Sequence, residues 1–540
     1  MNARKNIRLI GLLLILALLL AACGTTATEE TTVDETTTEE TAAEETTEEE
    51  TVVEETTEPT EITISYLQKL TDLDPLNANN PAAGAIGQGL FDTLLRADDE
   101  GNIYGWLAES WEISEDKLTM TFKLREGITF SDGTPLNADA VIFSMDLFQN
   151  PELYLGTNIQ SMTGWEELDD QTVQVTFSRP DATALYTFTG ASASIVSPTA
   201  YQELGADGFA LNPVGSGPYL LEKWEPGVEV IMVKNPDYWQ EGVGLADRIV
   251  WRNFADGAAA VLATQSGEVD LLHEQEPKDI PLFEGVEGMK VGTYEGGYYA
   301  LILNTQMPPF DKVENRQALV HAIDANAIAN VAFEGYAKLS AGLLPPASWA
   351  YDPSITPPER DPGKVAELLA AAGNPEGFDF KVSVTPQPFR AQVLEIMQTG
   401  LSEVGINMEV EVNQFARHIE ILQADFEGAN AAFVVQQALH PNPETNFYIY
   451  LGCNSFLKFS GYCDPENTEF DDLVWGSQTF FDNETRAAMS QQANQIVMND
   501  LPAVSFVFQD NIHVWNEAKL GDYTPAYGGG YNYLWLEPKE

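Results

Sequence analysis

The folded part of the sequence predicts a mixed α/β body, of α/β or α+β class, with more than one lobe. Residues 118–124 alternate apolar and polar side chains as a half-buried strand does, and residues 131–135, Ser-Asp-Gly-Thr-Pro, form a turn signal. Asn137 then suits the N-cap of a helix. Helical patterns recur at residues 361–372 and 391–404. Residues 62–540 are long enough for two or three lobes around substantial cores.

The first 23 residues predict export from the cytoplasm. Arg4, Lys5 and Arg8 precede an apolar run at residues 9–22, which is shorter than the roughly 20 residues that cross a bilayer. The small residues before Cys23 resemble a bacterial lipoprotein signal. That resemblance implies diacylglycerol on the Cys23 sulfur and cleavage just before it, so that the chain is anchored to the membrane by its N-terminus. The alternative is an uncleaved anchor helix, which needs a longer apolar span.

Residues 24–61 predict a disordered, extended linker. The segment consists almost entirely of Thr, Glu and Ala, with 15 acidic residues and no basic or aromatic ones. Such a segment cannot bury enough apolar surface to offset its ordering entropy, and its charges repel one another. It is interpreted as a spacer that holds the folded body away from a lipid surface; cation capture by the glutamates is the alternative.

The charge of the folded body excludes a nucleic-acid partner. The whole sequence has 83 acidic and 27 basic residues. Without the 15 acidic residues of the linker and the three basic residues of the signal peptide, the folded body carries a formal charge of −44. No basic stripe is present to neutralise phosphates, and direct adhesion to anionic lipid is disfavoured. The acidity fits either surface solvation in a salty habitat or steering of a cationic ligand.

The two cysteines of the folded body predict a disulfide. Cys453 and Cys463 are ten residues apart in a stretch rich in Asn, Gly and Ser, which suits an oxidising compartment. A zinc site is the alternative, but two thiols without a nearby histidine pair do not complete a zinc ligand set. We therefore expect no metal and no cofactor.

An ordered series of motifs resembles the family 5 solute-binding proteins of ABC importers. It begins with Trp-Leu-Ala-Glu-Ser-Trp-Glu at residues 106–112 and continues through Arg-Glu-Gly-Ile-Thr-Phe-Ser-Asp-Gly-Thr-Pro at residues 125–135. Further matches lie at residues 118–124, 215–219, 234–239, 266–270, 304–305, 309–310, 316–324, 361–362, 368–369, 372–373 and 405–406. Each motif is weak alone, and most serve the scaffold; the ordered set covers nearly the whole folded body.

The resemblance implies a two-lobed periplasmic-binding-protein fold of type II, a Venus flytrap with an additional inserted domain. Domain I, the discontinuous lobe 1, would comprise residues 62–96, 197–297 and 508–540. Domain II, the insertion in lobe 1, would comprise residues 97–196, and domain III, lobe 2, residues 298–507. Ligand would be buried as the lobes close about a hinge.

The resemblance also implies candidate ligand-binding residues, which are those at the positions that line the ligand pocket in the family. They are Leu67, Gln68, Tyr298, Tyr299, Gln387, Phe389, Gln436, Gln437, His440 and Asn446. Aromatic faces with amides suit a pocket that packs apolar surface and orients a few polar groups. Core packing is the alternative for each aromatic residue.

One departure from the family's peptide binders affects the expected cargo. Their tryptophan, α-ammonium-anchoring aspartate and second aspartate correspond here to Gln436, Leu439 and Asn442. A buried ammonium without its carboxylate faces a desolvation cost of several kcal/mol. Peptide remains the expected ligand, and an oligosaccharide is the alternative because Gln436, Gln437, His440 and Asn446 suit a neutral polar ligand.

The expected partners are the solute and the membrane permease subunits of an ABC importer, with the chain acting as a monomer. An enzyme is not expected, since no nucleophile elbow, zinc-protease motif or phosphate-binding loop is present and the five histidines are scattered. Two rival binding functions are capture of a metal chelate at His440 and presentation of ligand to a sensor protein.

Overall fold

A computed structural model gives the fold of residues within one compact unit, Glu58–Glu540. It describes residues 59–67, 69–77, 81–98, 101–150, 159, 161–273, 276–385, 390–414, 417–418, 420–421, 432–438, 442–455, 457–463, 468–521, 523–525 and 532–536. The predicted signal peptide, Cys23 and almost all of the predicted linker lie outside these residues. No helix in these ranges is long and apolar enough to cross a membrane.

Three sheets are formed by the described strands. The strands are β1 Glu61–Tyr66, β2 Leu95–Ala97, β3 Ile103–Gly105, β4 Ala108–Ile113, β5 Thr119–Leu124, β6 Met162–Asp169, β7 Thr172–Phe177, β8 Tyr219–Glu225, β9 Glu229–Lys234, β10 Arg248–Asn253, β11 Leu271–Leu272, β12 Met289–Leu303, β13 Ala337–Leu339, β14 Asp379–Val384, β15 Asn407–Val412, β16 Ala432–Ala438 and β17 Ala503–Asn516. The large sheet has the order β15-β14-β16-β12-β17-β11-β1-β10-β9-β8, and β13 pairs with β17. The smaller sheets are β4-β5-β7-β6 and β2-β3.

Helices cover the sheets. They are α1 Pro81–Leu90, α2 Ala138–Phe148, α3 Thr183–Thr187, α4 Pro198–Leu211, α5 Gly257–Gln265, α6 Val313–Ala322, α7 Ala325–Ala327, α8 Pro362–Ala372, α9 Arg390–Ser402, α10 Thr445–Tyr448, α11 Glu469–Ser477, α12 Asn483–Asp500 and α13 Glu517–Leu520. Short 3-10 helices lie at Pro75–Asn77, Ala191–Ala193, Pro277–Leu282, Lys458–Ser460 and Asn532–Trp535, and a π-helical turn at Ile328–Ala332.

The local sequence signals explain the elements that they predict. β5 alternates buried and less buried positions, as its apolar-polar pattern requires. The Asn137 side chain caps α2 by accepting a hydrogen bond from the Ala140 amide at 3.2 Å. Asp361 caps α8, which ends at Gly373 in the left-handed conformation that glycine favours. The helical pattern at residues 391–404 corresponds to α9, which occupies most of that range.

The buried apolar residues form separate cores on the two halves of the large sheet. One core combines residues 62–91, 196–271 and 515–536 with Trp106, and a second lies in residues 76–195 beside the β4-β5-β7-β6 sheet. Two further cores fill residues 298–508 on opposite faces of β12 and β17. We call the half with β1 and β8–β11 lobe 1, residues 97–196 the inserted domain, and the half with β14–β16 lobe 2. The three-domain boundaries given above stay a prediction.

Candidate functional site

Two long strands, β12 and β17, connect the lobes and fix the direction of every other strand in the large sheet. β11 is antiparallel to β17, which is antiparallel to β12, so β11 runs from lobe 1 toward lobe 2, and β1 and β10 run parallel to β11. β16 is antiparallel to β12 and therefore runs from lobe 2 toward lobe 1, as do β14 and β15. The carboxyl ends of the parallel strands in the two lobes therefore face each other.

The strand register gives the length of the connection between these edges. β11 ends opposite Val514, which also pairs with Val291 of β12, and β16 ends at Ala438 opposite Gly297. The stretch from 291 to 297 spans about 20 Å at roughly 3.3 Å per residue. Crevices at the carboxyl ends of parallel strands are where open α/β sheets bind ligands. The candidate site is therefore the space flanked by these two edges.

The crossing segment has an irregular backbone. The pairing of β12 with β17 shifts register between Glu295 and Gly297, which marks a β-bulge. A Cβ on Gly296 would lie 2.1 Å from Asn511 Oδ1, so the Asn511 side chain of β17 occupies the space that a larger residue at 296 would need. Glu295 is 7% exposed, bonds Lys338 and accepts a hydrogen bond from the Ala347 amide at 2.7 Å. These contacts hold β12 to β13 and to the segment that follows it.

Lobe 1 brings one predicted ligand residue to its edge. Leu67 directly follows β1 and is half-buried, packing against a small core that includes Leu272 and Val514. The Tyr66 carbonyl before it accepts hydrogen bonds from Asn253 Nδ2 at 3.2 Å and the Phe254 amide at 2.9 Å, which ties β1 to the end of β10. Gln68 lies outside the described residues.

Lobe 2 brings the carboxyl ends of β14 and β16 to the opposite edge. Gln436 and Gln437 lie near the end of β16 and pair with Tyr299 and Tyr298 of β12; only their backbone is described. The other predicted residues that follow these strands, Gln387, Phe389, Leu439 and His440, lie outside the described residues. A buried polar group supports this edge: Ser383 Oγ lies 3.0 Å from His418 Nδ1 and accepts a hydrogen bond from Asn413 Nδ2 at 3.0 Å.

Tyr298 and Tyr299 are both in the packed interior. Successive residues of a strand point to opposite faces, and each face of β12 is covered by its own core. The Tyr299 ring lies edge-on to Phe333 with centroids 5.7 Å apart, and neither tyrosine is exposed. Burial raises the pKa of Tyr298, whose hydroxyl donates to the Asn446 carbonyl at 3.2 Å. Core packing, the alternative raised for these aromatics, is the role that this burial supports.

Asn446, in α10, is the predicted ligand residue whose hydrogen-bonding capacity is unused. It is 1% exposed, and neither Oδ1 nor Nδ2 has a hydrogen-bond partner among the described residues. Leaving a buried polar group unsatisfied costs about 1–3 kcal/mol, so native structures rarely do so without a ligand, water or other reason. Its carboxamide can offer one donor group and one acceptor to a neutral polar ligand group.

The buried charges beside Asn446 are already paired. Glu444 receives two parallel hydrogen bonds from Arg486, both at 2.9 Å, and Arg486 also donates to Asn442 Oδ1 at 2.8 Å. The Glu444 and Arg486 side chains are 0% and 3% exposed. Because a carboxylate held by a bidentate guanidinium is neutralised, Glu444 offers no free carboxylate in place of the aspartate that the family resemblance predicts at position 439.

Glu444 and Arg486 were not among the residues predicted from sequence. A usable signal exists in α12: Arg486 shares one helical face with Ser490, Ala493 and Val497, and this face is buried. A cation on such a face requires a buried acidic partner. Which acidic residue is that partner depends on which loop packs against α12, and no local sequence pattern identifies the loop.

A histidine pair lies near the lobe 1 edge. The His273 and His513 ring centroids are 4.8 Å apart, and His513 Nδ1 lies 2.7 Å from the Tyr523 hydroxyl. Burial lowers the pKa of His513 to about 3, and burial together with His513 lowers that of His273, so both rings are neutral at pH 7. No group of three or more His, Cys, Asp or Glu side chains in the described ranges could hold a metal.

Cys453 and Cys463 are joined in a disulfide in lobe 2. The loop that it closes is held to α11, because the Cys453 amide donates to Asp471 at 2.9 Å. The Ser460 hydroxyl donates to the Tyr450 carbonyl at 2.5 Å, and the Thr305 amide donates to the Ser460 carbonyl at 2.8 Å. The bridge therefore braces a loop that packs next to the end of β12.

Comparisons with known proteins agree with this architecture. Residues 102–458 match the model of the bacterial extracellular solute-binding proteins, family 5. The glutathione-binding protein GsiB of Escherichia coli O1:K1 is 34% identical over 369 residues, which cover 67% of this chain and 71% of that protein. The same protein of Shigella flexneri is 33% identical over the same shares of the two chains.

Solved structures share the fold at lower identity. The periplasmic binding protein DppA of Helicobacter pylori, in complex with the peptide STSA, has a TM-score of 0.76 at 24% identity, covering 89% of this chain and 98% of that one. NikZ of Campylobacter jejuni, in complex with Ni(L-His), has a TM-score of 0.75 at 20% identity, covering 89% and 99%. The type II periplasmic-binding-protein fold is thus confirmed, and the chain belongs to family 5 of the extracytoplasmic solute-binding proteins of ABC importers.

Proposed function

We propose that this chain is a lipid-anchored receptor that captures a peptide-like solute between its lobes and delivers it, as a monomer and without catalysis, to an ABC permease. The observation that carries the proposal is that both lobes present the carboxyl ends of parallel strands to each other across β12 and β17. A ligand contacted by both edges favours the closed arrangement, because only that arrangement offers all the contacts at once.

The relatives support a peptide-like cargo. GsiB, at 34% identity, is named for glutathione, which is itself a small peptide. The residues proposed to contact the ligand are Leu67, Gln68, Gln387, Phe389, Gln436, Gln437, His440 and Asn446. Amides dominate this set, so we expect hydrogen bonds to peptide groups to orient the ligand and the apolar residues to pack its side chains.

Two buried carboxylates, Glu444 of lobe 2 and Asp181 of the inserted domain, bear on how a peptide would be held. Glu444 is paired with Arg486, and Asp181 accepts hydrogen bonds from Ser161 Oγ at 2.5 Å and the Thr183 amide at 3.0 Å. Neither is available to a ligand ammonium. We therefore propose that main-chain amide groups, rather than the α-ammonium, dominate recognition. An oligosaccharide, which has no ammonium, is the second candidate on the same observation.

A thermal-shift screen of the full chain tests the cargo. The panel is glutathione, di- and tripeptides, N-acetylated versions of the same peptides, and neutral oligosaccharides. Ligand at about 100 times its Kd stabilises the protein by roughly 2.7 kcal/mol. Equal shifts with free and N-acetylated peptides are expected. A shift that N-acetylation abolishes would contradict recognition without an ammonium anchor, and shifts with oligosaccharides alone would replace the peptide proposal.

Membrane fractionation tests the lipid anchor. The wild-type chain and Cys23→Ser are expressed in a bacterial host with labelled fatty acid, and the membrane and soluble fractions are compared. The wild type should carry label and remain with the membrane, whereas Cys23→Ser should lose the label. A labelled Cys23→Ser variant, or an unlabelled wild type, would reject lipidation at this residue.

A further inference from the structure

Lobe 2 contacts the inserted domain at a place that involves neither crossing strand. The Ala182 amide donates a 2.7 Å hydrogen bond to the Gln478 carbonyl, and Arg179 Nη2 donates a 2.9 Å bond to Gln478 Oε1. Ala182 and Gln478 are each 2% exposed. Gln478 directly follows α11, so a single residue of lobe 2 is bound through both its backbone and its side chain.

An aromatic side chain extends this contact. Phe481 belongs to lobe 2 by sequence, yet it packs against the hydrophobic core of the inserted domain, with the Lys117 ammonium 5.5 Å from its ring centroid. The preceding Phe480 is 38% exposed and is not part of that core. The segment 478–481 thus packs one partly buried phenylalanine against the neighbouring domain and leaves the other more exposed to solvent.

The same interface covers the buried ion pair of lobe 2. Asn442 Nδ2 donates to the Thr183 carbonyl at 3.5 Å, and the Arg486 guanidinium lies 5.9 Å from the centroid of the Tyr186 ring. Tyr186 in turn donates to the Gly101 carbonyl at 3.0 Å within the inserted domain. Moving the inserted domain away from lobe 2 would therefore hydrate Arg486 and break several hydrogen bonds in one step.

We propose that segment 478–481 is a latch that holds lobe 2 against the inserted domain and sets the population of the closed state. Among the described strands, β12 and β17 carry the large sheet from one lobe to the other, and domains joined in this way close about a hinge. Contacts made only in the closed arrangement shift that balance by their own free energy. The value of the latch for solute capture rests on the proposed function; its existence does not.

Hydrogen-deuterium exchange and small-angle X-ray scattering of the ligand-free full chain test the latch. The variants are Arg179→Ala and Phe481→Ala. The matched controls are Arg252→Ala, which removes an arginine of similar exposure whose ion pair with Glu268 lies within lobe 1, and Phe480→Ala, which removes the exposed neighbour. Exchange is followed in a peptide that contains Ala182 and in one from the centre of β12, which reports on global unfolding.

We expect exchange at Ala182 to be about three- to tenfold faster in Arg179→Ala, the effect of losing one hydrogen bond, and faster still in Phe481→Ala. Both variants should have a larger radius of gyration than the wild type. The controls and the β12 peptide should be unchanged. If Phe481→Ala also accelerates exchange in β12, that variant is unfolding globally and Arg179→Ala decides.

Two results would overturn the latch. Unchanged exchange at Ala182 in Arg179→Ala would mean that the contact does not hold the domains together. Faster exchange with an unchanged radius of gyration would identify a static contact within one rigid body. Neither measurement contains a ligand, so failure of the latch leaves the solute-binding proposal standing, and failure to find a solute leaves the latch measurable.

Discussion

Lobe 1 and lobe 2 each bury a carboxylate completely, but they surround it with different partners. Asp92 of lobe 1 accepts hydrogen bonds from four neutral donors, with a guanidinium at 3.8 Å. Those donors are Trp106 Nε1 at 2.7 Å, Tyr238 Oη at 2.9 Å, Ser216 Oγ at 3.0 Å and Trp239 Nε1 at 3.2 Å. Glu444 of lobe 2 is held by the single cation Arg486. Lobe 1 spreads the stabilisation of one charge over several loops, whereas lobe 2 concentrates it in one contact.

The difference has a consequence for motion. The donors around Asp92 come from segments at residues 106, 216 and 238–239, so this cluster ties lobe 1 to the start of the inserted domain. The Arg486–Glu444 pair lies beneath the inserted domain, and its hydration changes if the domains separate. The Arg486–Glu444 pair is therefore sensitive to separation of lobe 2 from the inserted domain, whereas the donors around Asp92 come from lobe 1 and the inserted domain and do not depend on that separation.

Removal of Arg486 should have the largest effect on stability. Arg486→Ala leaves the Glu444 carboxylate buried without its partner, and breaking a buried ion pair in this way costs about 3–5 kcal/mol. Urea unfolding measures the loss. Arg417→Ala is the control, because Arg417 is 62% exposed and its pair with Glu420 contributes at most about 1 kcal/mol. Equal losses in the two variants would remove the contrast between buried and surface pairs.

Substitution of Asp92 should have the next largest effect. Asp92→Asn keeps the shape of the side chain but replaces one acceptor oxygen with an NH2 group, so donors such as Trp106 Nε1 and Tyr238 Oη lose their acceptor. We expect the free energy of unfolding to fall by about 1–3 kcal/mol, the cost of leaving a buried polar group unsatisfied. Urea unfolding is compared with that of Asp207→Asn at an exposed helical position. A loss of free energy of unfolding as large as that in Arg486→Ala would contradict the idea that several dispersed donors make the protein less sensitive to a change in one buried group than a single ion pair does.

The histidine pair should make stability depend on pH. The pKa of His513 falls from about 6.5 in the unfolded chain to about 3 in the folded protein. The contribution of the neutral imidazole to the free energy of unfolding is therefore fully present above pH 6.5. It should decrease by up to about 1.4 kcal/mol per pH unit as the pH falls from 6.5 toward 3. Urea midpoints at pH 7.5 and 5.0 should therefore differ less in His513→Phe. Tyr523→Phe, which keeps both imidazoles, should retain the wild-type difference; a wild-type difference in His513→Phe would exclude this origin.

Asn446→Leu should have the smallest effect on stability and a distinct effect on binding. Its carboxamide has no described partner, so the change should leave the free energy of unfolding within about 1 kcal/mol or raise it. Affinity for the solute found in the screen should fall about tenfold, the value of one hydrogen bond to a neutral group. Isothermal titration measures it, with Asn330→Leu on the surface as control. Unchanged affinity would remove Asn446 from the site.

Local patterns predicted the elements well where the signal lay within a few residues. The alternation in β5 and the caps at Asn137 and Asp361 are short-range features, and the structure has each of them. The candidate ligand residues were harder to predict, because a position in a family pocket does not give the direction of a side chain. Tyr298 and Tyr299 illustrate this: both faces of β12 are covered by layers that are distant in sequence.

The family, the mixed α/β class and the boundaries of the strongest helices and strands could be predicted without the structure, since motif order, side-chain periodicity and capping are properties of contiguous residues. The pairing of polar groups inside the protein depends instead on contacts between distant segments. Arg486 meets Glu444 across 42 residues, and Ala182 meets Gln478 across nearly 300. Burial and hydrogen bonding across such separations depend on how the lobes pack, and no local pattern contains that information.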